Sequence, residues 1–354
     1  MIAMSPFGYW LDYIVLWLLY LGFVTHAICF FKLFPRERYP RLGLVLGNLF
    51  VFGVMLGTIA MIGEIYLRFY SVKTEALGMS LPARRWFALN TSLNDVGCRD
   101  EAWSRDKNGA RRIAFVGDSY TYGWGIVDPA DRFTDLIETQ LAGRTPAVDV
   151  MNVAKPGWGT ADQVRPVNDL IEYYGVDEVV LCYLPNDMET AIDTDASFDP
   201  TKPPESSWLN PDFSCLLYEL YLRLVLPRTP TVRDYHAWLM EAFRNEATWQ
   251  RHARDLSALV EICRRHDVRM RVVLLPFILE PPEPYDGQYV RRKVRSLFDD
   301  AGIECLDLHA VVADANRREL IVNAADPHPN EAAHRLFADA IRKAFYDADA
   351  SKVP

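Results

Sequence analysis

The sequence has no CxxC pair. Its six cysteines (Cys29, Cys98, Cys182, Cys215, Cys263 and Cys305) are scattered along 354 residues, which excludes a zinc-ribbon arrangement and a disulfide-dense scaffold. They read as separate thiols, with pairing open should they face an oxidising compartment. Positive charge is in deficit: 38 Lys and Arg against 47 Asp and Glu leave a net charge of -9. No nucleic-acid partner is expected, because neutralising phosphates takes a basic face. The glycine-rich fingerprints GxxxxGK[ST] and GxGxxG are missing, so no nucleotide cofactor is expected, and no metal is assigned. A GxSxG elbow around Ser119 is also missing, which argues against the α/β-hydrolase type. The first 12 residues, MIAMSPFGYWLD, hold no Lys or Arg, so the apolar stretch behind them is not expected to be a cleaved signal peptide.

Two long uncharged runs are present. Tyr13 to Phe31 gives about 19 residues and Leu42 to Gly63 about 22 without Lys, Arg, Asp or Glu, each near the length of a bilayer crossing. They predict two transmembrane helices in an anchor over residues 1–70. The connecting KLFPRERYPR carries Lys32, Arg36, Arg38 and Arg41, and the positive-inside rule assigns it to the cytoplasm. The long remainder is then expected on the extracytoplasmic side of the inner membrane. His26 and Glu64 are expected at the water boundary, Glu64 because Tyr66, Arg68 and Tyr70 follow it.

Residues 71–110 lack a period and read as a linker and irregular lead-in. From about 111 to 350 the apolar pattern alternates. Strand-like runs at Arg112–Val116, Val148–Val153, Glu178–Tyr183, Arg269–Leu275 and Ile303–Leu308 are separated by helical periods at Arg132–Leu141, Ala161–Tyr174, Thr248–Arg265 and Tyr289–Ala301, with a last helix from Asn330 to Tyr346. Such alternation predicts about five parallel strands with helices on both faces, a three-layer α/β/α sandwich. Residues 190–231 interrupt it. They read as an inserted lid or substrate-facing subdomain, with LLYELYLRLVL lying on a membrane as the alternative.

Four short motifs fall at one edge of this sheet: Gly117-Asp118-Ser119 after the first strand, Asn152 to Gly157 after the second, Asn186-Asp187 after the third, and Asp326-Pro327-His328 before the last helix. A serine hydroxyl becomes a useful nucleophile only beside an imidazole base, best oriented by a carboxylate. Ser119, His328 and Asp326 supply those types. A developing oxyanion needs aimed donors, for which Ser119 N–H, Gly157 N–H and the Asn186 amide are candidates. Trp124 and Trp158 stand close behind the first two motifs as candidate lining of a substrate pocket or as loop packing. Asp326, His328 and His334 form the weaker metal-binding reading. Asp307 and His309 imitate the DxH spacing without a following turn and helix, and read as structural.

GDSYTYGWG, NVAKPGWGT, PND and DPHPN, in that order, resemble the four sequence blocks of the SGNH, or GDSL-type, hydrolases over about residues 111–346. The resemblance implies a flavodoxin-like fold and maps the four name-giving residues to Ser119, Gly157, Asn186 and His328, with Asp326 completing a triad. It implies an acyl-enzyme route for an ester hydrolase acting on acyl, first of all acetyl, esters, and the expected extracytoplasmic placement makes cell-envelope glycans or lipids the substrates. An O-acetyltransferase uses the same residues, and a non-catalytic glycan-binding scaffold is the third reading. A looser similarity to membrane-anchored bacterial esterases and polysaccharide O-acetyl-modifying proteins accords with the two apolar runs. Two positions depart from the family. LPND stands where GxND is usual, and the carboxylate stands two residues before His328 instead of three, which leaves open a Ser–His dyad.

Overall fold

A computed structural model describes residues 6–35, 37–77, 79–192 and 210–347. Arg36 of the basic loop and most of the insertion's first half lie outside the described residues. The chain divides into two compact units, Met1–Leu89 with Asp199–Val232, and Asn90–Phe198 with Arg233–Pro354.

The first unit is built on two helices, α1 (Pro6–Leu33) and α2 (Pro40–Ile65), the latter running on through a π-helical turn to Tyr70. Pro40 opens α2, where its missing N–H is one the first turn would leave unbonded anyway. Both helices are long and apolar enough to cross a membrane. Their large side chains point outward, among them Leu18, Leu44, Phe52 and Ile59, all more than half exposed. The Tyr20 hydroxyl joins the pair by contacting Thr58 Oγ1 at 2.7 Å and donating to the Val54 carbonyl at 3.3 Å.

Glu64, at the end of α2, is buried, and its carboxylate faces Arg68 Nε at 2.9 Å. It also accepts from Ser214 Oγ and from the Cys215 and Leu216 N–H groups, all within 3.0 Å, while Arg68 donates to the Asp212 and Phe213 carbonyls. Glu64 thus satisfies the open N–H groups that begin helix Cys215–Leu220. The described part of the insertion, from Asn210 on, therefore belongs with α2 and not with the sheet.

The structure corrects the reading of residues 71–110. A helix, Leu81–Asn90, forms there, and the stretch is divided between the two units. Behind it, Arg99 is fully buried and donates to the Gly123, Ile126 and Val127 carbonyls. Arg132, equally buried, donates to the Arg99 carbonyl and forks onto Asp135 at 2.8 Å. What reads as a lead-in is a brace for the loop behind Ser119.

The second unit holds one parallel sheet of β1 (Arg111–Gly117), β2 (Val148–Ala154), β3 (Glu178–Tyr183), β4 (Arg269–Leu274) and β5 (Glu304–Asp307), in spatial order β2-β1-β3-β4-β5. Alternate residues feed two cores. Ala114, Val116, Val179, Leu181 and Val272 pack beneath helices Thr160–Tyr174, Glu246–Arg265 and Gly287–Asp300, and Ile113, Phe115, Val180 and Val273 beneath Phe133–Leu141 and Glu331–Ile341. This is the flavodoxin-like order, in which the chain leaves β1 first to one side and then to the other, opening a crevice beyond the carboxyl ends of β1 and β3. A helix at Tyr235–Arg244 was not read from the sequence, nor was the antiparallel arm of β6 (Ile321–Asn323) and β7 (Asp326–Pro329).

At the opposite sheet edge, the fully buried Glu178 meets Arg111, Arg271 Nη1 at 2.8 Å and the Tyr346 hydroxyl at 3.2 Å. It holds the sheet, far along each strand from the motifs.

Two buried histidines give a pH prediction. Burial lowers His252 to about 3, and burial with the nearby Arg132 and Arg99 charges lowers His334 to about 3, from 6.5. The folded chain keeps both neutral while the unfolded chain protonates them, so this stability is complete above pH 6.5 and is lost as pH falls toward 3. Each histidine should cost about 2 kcal/mol between pH 7 and 5. Urea midpoints of the detergent-solubilised chain, followed by tryptophan fluorescence, should therefore drop on acidification; a flat profile contradicts the assignment.

Candidate active site

The site assembles from three strand ends and the short arm. β1 ends at Gly117; Asp118 then accepts the Tyr120 N–H at 3.0 Å as the cap of a single helical turn, Ser119–Tyr122. This sharp turn sets Ser119 at the carboxyl edge of the sheet. His328 comes from β7, 209 residues away, and its Nε2 lies 2.9 Å from Ser119 Oγ. Its Nδ1 lies 2.5 Å from Asp326 Oδ1. The two-residue spacing does not keep the carboxylate from the ring. Asp326 Oδ1 also accepts the backbone N–H of His328 at 3.3 Å, an Asx-type turn in which a side chain naturally reaches two residues ahead. Asp326 is fully buried, whereas His328 and Ser119 keep some exposure. A hydroxyl, a base and a buried carboxylate in line are the parts needed to move a proton off a nucleophile.

Asn186 follows β3 and donates Nδ2 to Asp118 Oδ2 at 3.2 Å. An amide nitrogen carries two hydrogens, so this bond fixes the group and leaves one donor. Burial raises the Asp118 carboxyl above its ordinary value against the pull of the Tyr120 and Asn186 donors. LPND differs from the family's usual third block, yet the turn is well held: Leu184 N–H donates to Asp187 Oδ2 at 3.2 Å. Gly157 is exposed in the turn after β2, with φ 79°, a left-handed conformation that glycine adopts without strain. Trp158 is half-buried against the core, with Lys155 Nζ 5.2 Å from its ring centre. His334 Nδ1 accepts the Phe133 N–H at 3.0 Å, and among the described residues no three His, Cys, Asp or Glu side chains are grouped to hold a metal.

A family model, GDSL-like lipase/acylhydrolase, matches residues 115–336. The chain belongs to this family. It is a serine ester hydrolase by that membership, and the parallel five-stranded sheet is the fold of the SGNH hydrolases. Among solved structures it is similar to a psychrotrophic esterase, EstA, from Pseudoalteromonas sp., with 12% identity over 68% of this chain and 99% of the other at a TM-score of 0.43. It is similar also to a lipolytic G-D-S-L family protein from Veillonella parvula, with 15% identity, 67% and 98% coverage and a TM-score of 0.41. An acetyl xylan esterase, AlAXEase, shows 15% identity, 66% and 99% coverage and a TM-score of 0.42. No curated protein matches.

One arrangement in this family member was not legible in the sequence. Trp124, a candidate pocket residue, donates its indole N–H to Asp326 Oδ2 at 3.1 Å and stacks on the His328 ring, centroids 5.4 Å apart and planes 24° apart. Both carboxylate oxygens of Asp326 are therefore engaged. The loop closes this tightly because Gly125, at φ 87°, has no Cβ: one would sit 2.4 Å from Val322 Cγ2 on β6. Trp124→Phe removes the donor and keeps most of the stacking surface. It should lower kcat roughly 10- to 100-fold, the value of one hydrogen bond to a buried charge, with KM nearly unchanged. Steady-state kinetics on a chromogenic ester decide this, since a lining role would raise KM instead.

Beyond Pro185, a cleft of about 740 Å³ is bordered by Phe277, Tyr285, Arg291, His309 and Arg317. The loops after β3, β4 and β5 enclose it, and Asp307, which accepts the His309 N–H, is part of their framework.

Proposed function

We propose that Ser119 attacks the carbonyl of an acyl ester while His328 Nε2 takes its proton and Asp326 holds the ring, and that the acyl-enzyme is then hydrolysed. The Ser119 and Gly157 N–H groups and the free hydrogen of the Asn186 amide are assigned to the oxyanion. The continuous path from Ser119 Oγ through His328 to Asp326, with separations of 2.9 and 2.5 Å, carries this reading. The substrate assigned is an acetyl ester on a cell-envelope glycan or lipid. The lining of the cleft beside Pro185 mixes aromatic rings with both signs of charge, Arg291 and Arg317 with Glu280, Glu283 and Asp286, and so suits a hydroxylated, polar alcohol portion.

The same proposal places the chain in the inner membrane through α1 and α2. Their outward apolar side chains support it, because such a surface is stable in lipid and not in water. Lys32 in the last turn of α1, Arg38 in the connection and Arg41 in the first turn of α2 support a cytoplasmic loop and an extracytoplasmic catalytic unit.

The test is covalent. Full-length protein treated with a fluorophosphonate should acquire one adduct, on the tryptic peptide holding Ser119, and lose acetyl-ester hydrolysis in proportion to labelling. Full activity in fully labelled protein, or an adduct on another serine tracking the loss, overturns the assignment.

A further inference from the structure

The helical run from Cys215 through Val225 presents two unlike faces. Cys215, Tyr218 and Glu219 turn inward within the first unit, and the Glu219 carboxylate is paired with Lys73 and, at 2.5 Å, with Arg223. Outward stand Leu217, Leu220 and Leu224 at 41%, 42% and 54% exposure, spaced i, i+3, i+7 as one stripe of a helix. Such a stripe facing water costs free energy for each side chain, and this one carries no acidic group.

Its location says what covers it. Leu216 packs against Gly63, the last residue of the second uncharged run, and Glu64 seals the N–H groups at the start of the segment. The segment is thereby fixed to α2 where its apolar run ends, beside the exposed rings of Tyr66 and Tyr70, the residue type that collects at membrane boundaries. Ile59 and Ile62, on α2 just before Gly63, are exposed as well. Arg223, paired with Glu219, and Arg228, which donates to the Leu224 carbonyl, flank it, and basic residues at this level suit a headgroup boundary.

We propose that Cys215–Val225 is an interfacial membrane helix, with Leu217, Leu220 and Leu224 seated at the boundary between headgroups and acyl chains. The proposal rests on the membrane reading of α1 and α2. The Glu64–Arg68 pair is its positioning device: it turns the segment so that the leucines, and not Glu219, meet lipid.

The experiment uses the full chain bearing Cys29→Ser, reconstituted into phosphatidylcholine/phosphatidylglycerol vesicles. An environment-sensitive NBD label is attached in turn at Leu220→Cys, Leu224→Cys, Ile59→Cys and the exposed catalytic-unit control Arg254→Cys, with the unsubstituted Cys29→Ser chain giving background. Lipid carrying a doxyl quencher at acyl position 5 is then introduced. Quenching several-fold stronger at Leu220→Cys and Leu224→Cys than at Arg254→Cys is the expected result, with Ile59→Cys also quenched. Quenching at Ile59→Cys with none above the control at both leucine positions overturns the interfacial helix and spares the spans. No quenching at Ile59→Cys overturns the membrane reading beneath it. Retained ester hydrolysis by each labelled protein shows that it is folded.

Discussion

Ser119→Ala should lower kcat for a chromogenic acetyl ester by about 10⁶, the loss seen when a triad serine is removed elsewhere, while thermal stability changes little. The oxygen removed touches His328 Nε2 at 2.9 Å and Asp118 Oδ2 at 3.4 Å, and neither contact holds a core element. No neighbour can take over the attack. Asp118 is fully buried and committed to Tyr120 N–H and to Asn186, and Thr121 beside it is equally buried. The remaining activity should be that of ester binding and oxyanion donors without a nucleophile. Measured on the purified full-length chain, with far-UV dichroism to show a folded protein, a loss below about tenfold would mean that hydrolysis runs through another group. The same measurement separates an enzyme from a glycan-binding scaffold, which would show no wild-type rate to lose.

The sheet was legible because a strand buried on both faces must be apolar at every position: AFV in β1 and VVL in β3 stand out between polar loops. Ser119 and His328 were legible for a different reason, since four motifs in fixed order at strand ends constrain one another. Tertiary partners of polar residues were not. Arg99, Glu178 and Arg271 are buried, and their partners lie on segments that no local period connects. Glu64 is alike: its partners at 214–216 are some 150 residues distant. The helix Tyr235–Arg244 went unread because Asn245, the cap of Glu246–Arg265, follows it at once, and the two periods merge. Trp124 shows the limit most clearly. Its sequence position suggested a pocket wall or loop packing, and only the fold places its N–H on Asp326.

That contact makes Asp326→Asn more than a loss of charge. The carboxylate receives Trp124 Nε1–H on Oδ2, and His328 Nδ1 and backbone N–H on Oδ1. An amide has one acceptor oxygen and one donor NH₂ for these two sides. If its oxygen meets Trp124, its NH₂ faces His328 Nδ1 and forces the proton onto Nε2, where it blocks acceptance of the Ser119 proton. Loss of kcat by about 10⁴, as for the wrong tautomer in a serine protease, is the expected result. Trp124→Phe removes the donor that holds the amide in that orientation, so the oxygen can turn toward Nδ1 and the His328 N–H. The double variant should therefore recover about tenfold over Asp326→Asn alone, although Trp124→Phe by itself is harmful; measured against additive losses, that is a coupling of about 3 kcal/mol, at the upper end of what contacting groups in one network show. Purely additive losses in the double-mutant cycle would mean that Trp124 does not govern the carboxylate, and an Asp326→Asn variant near wild-type rate would reduce the machinery to Ser119 and His328.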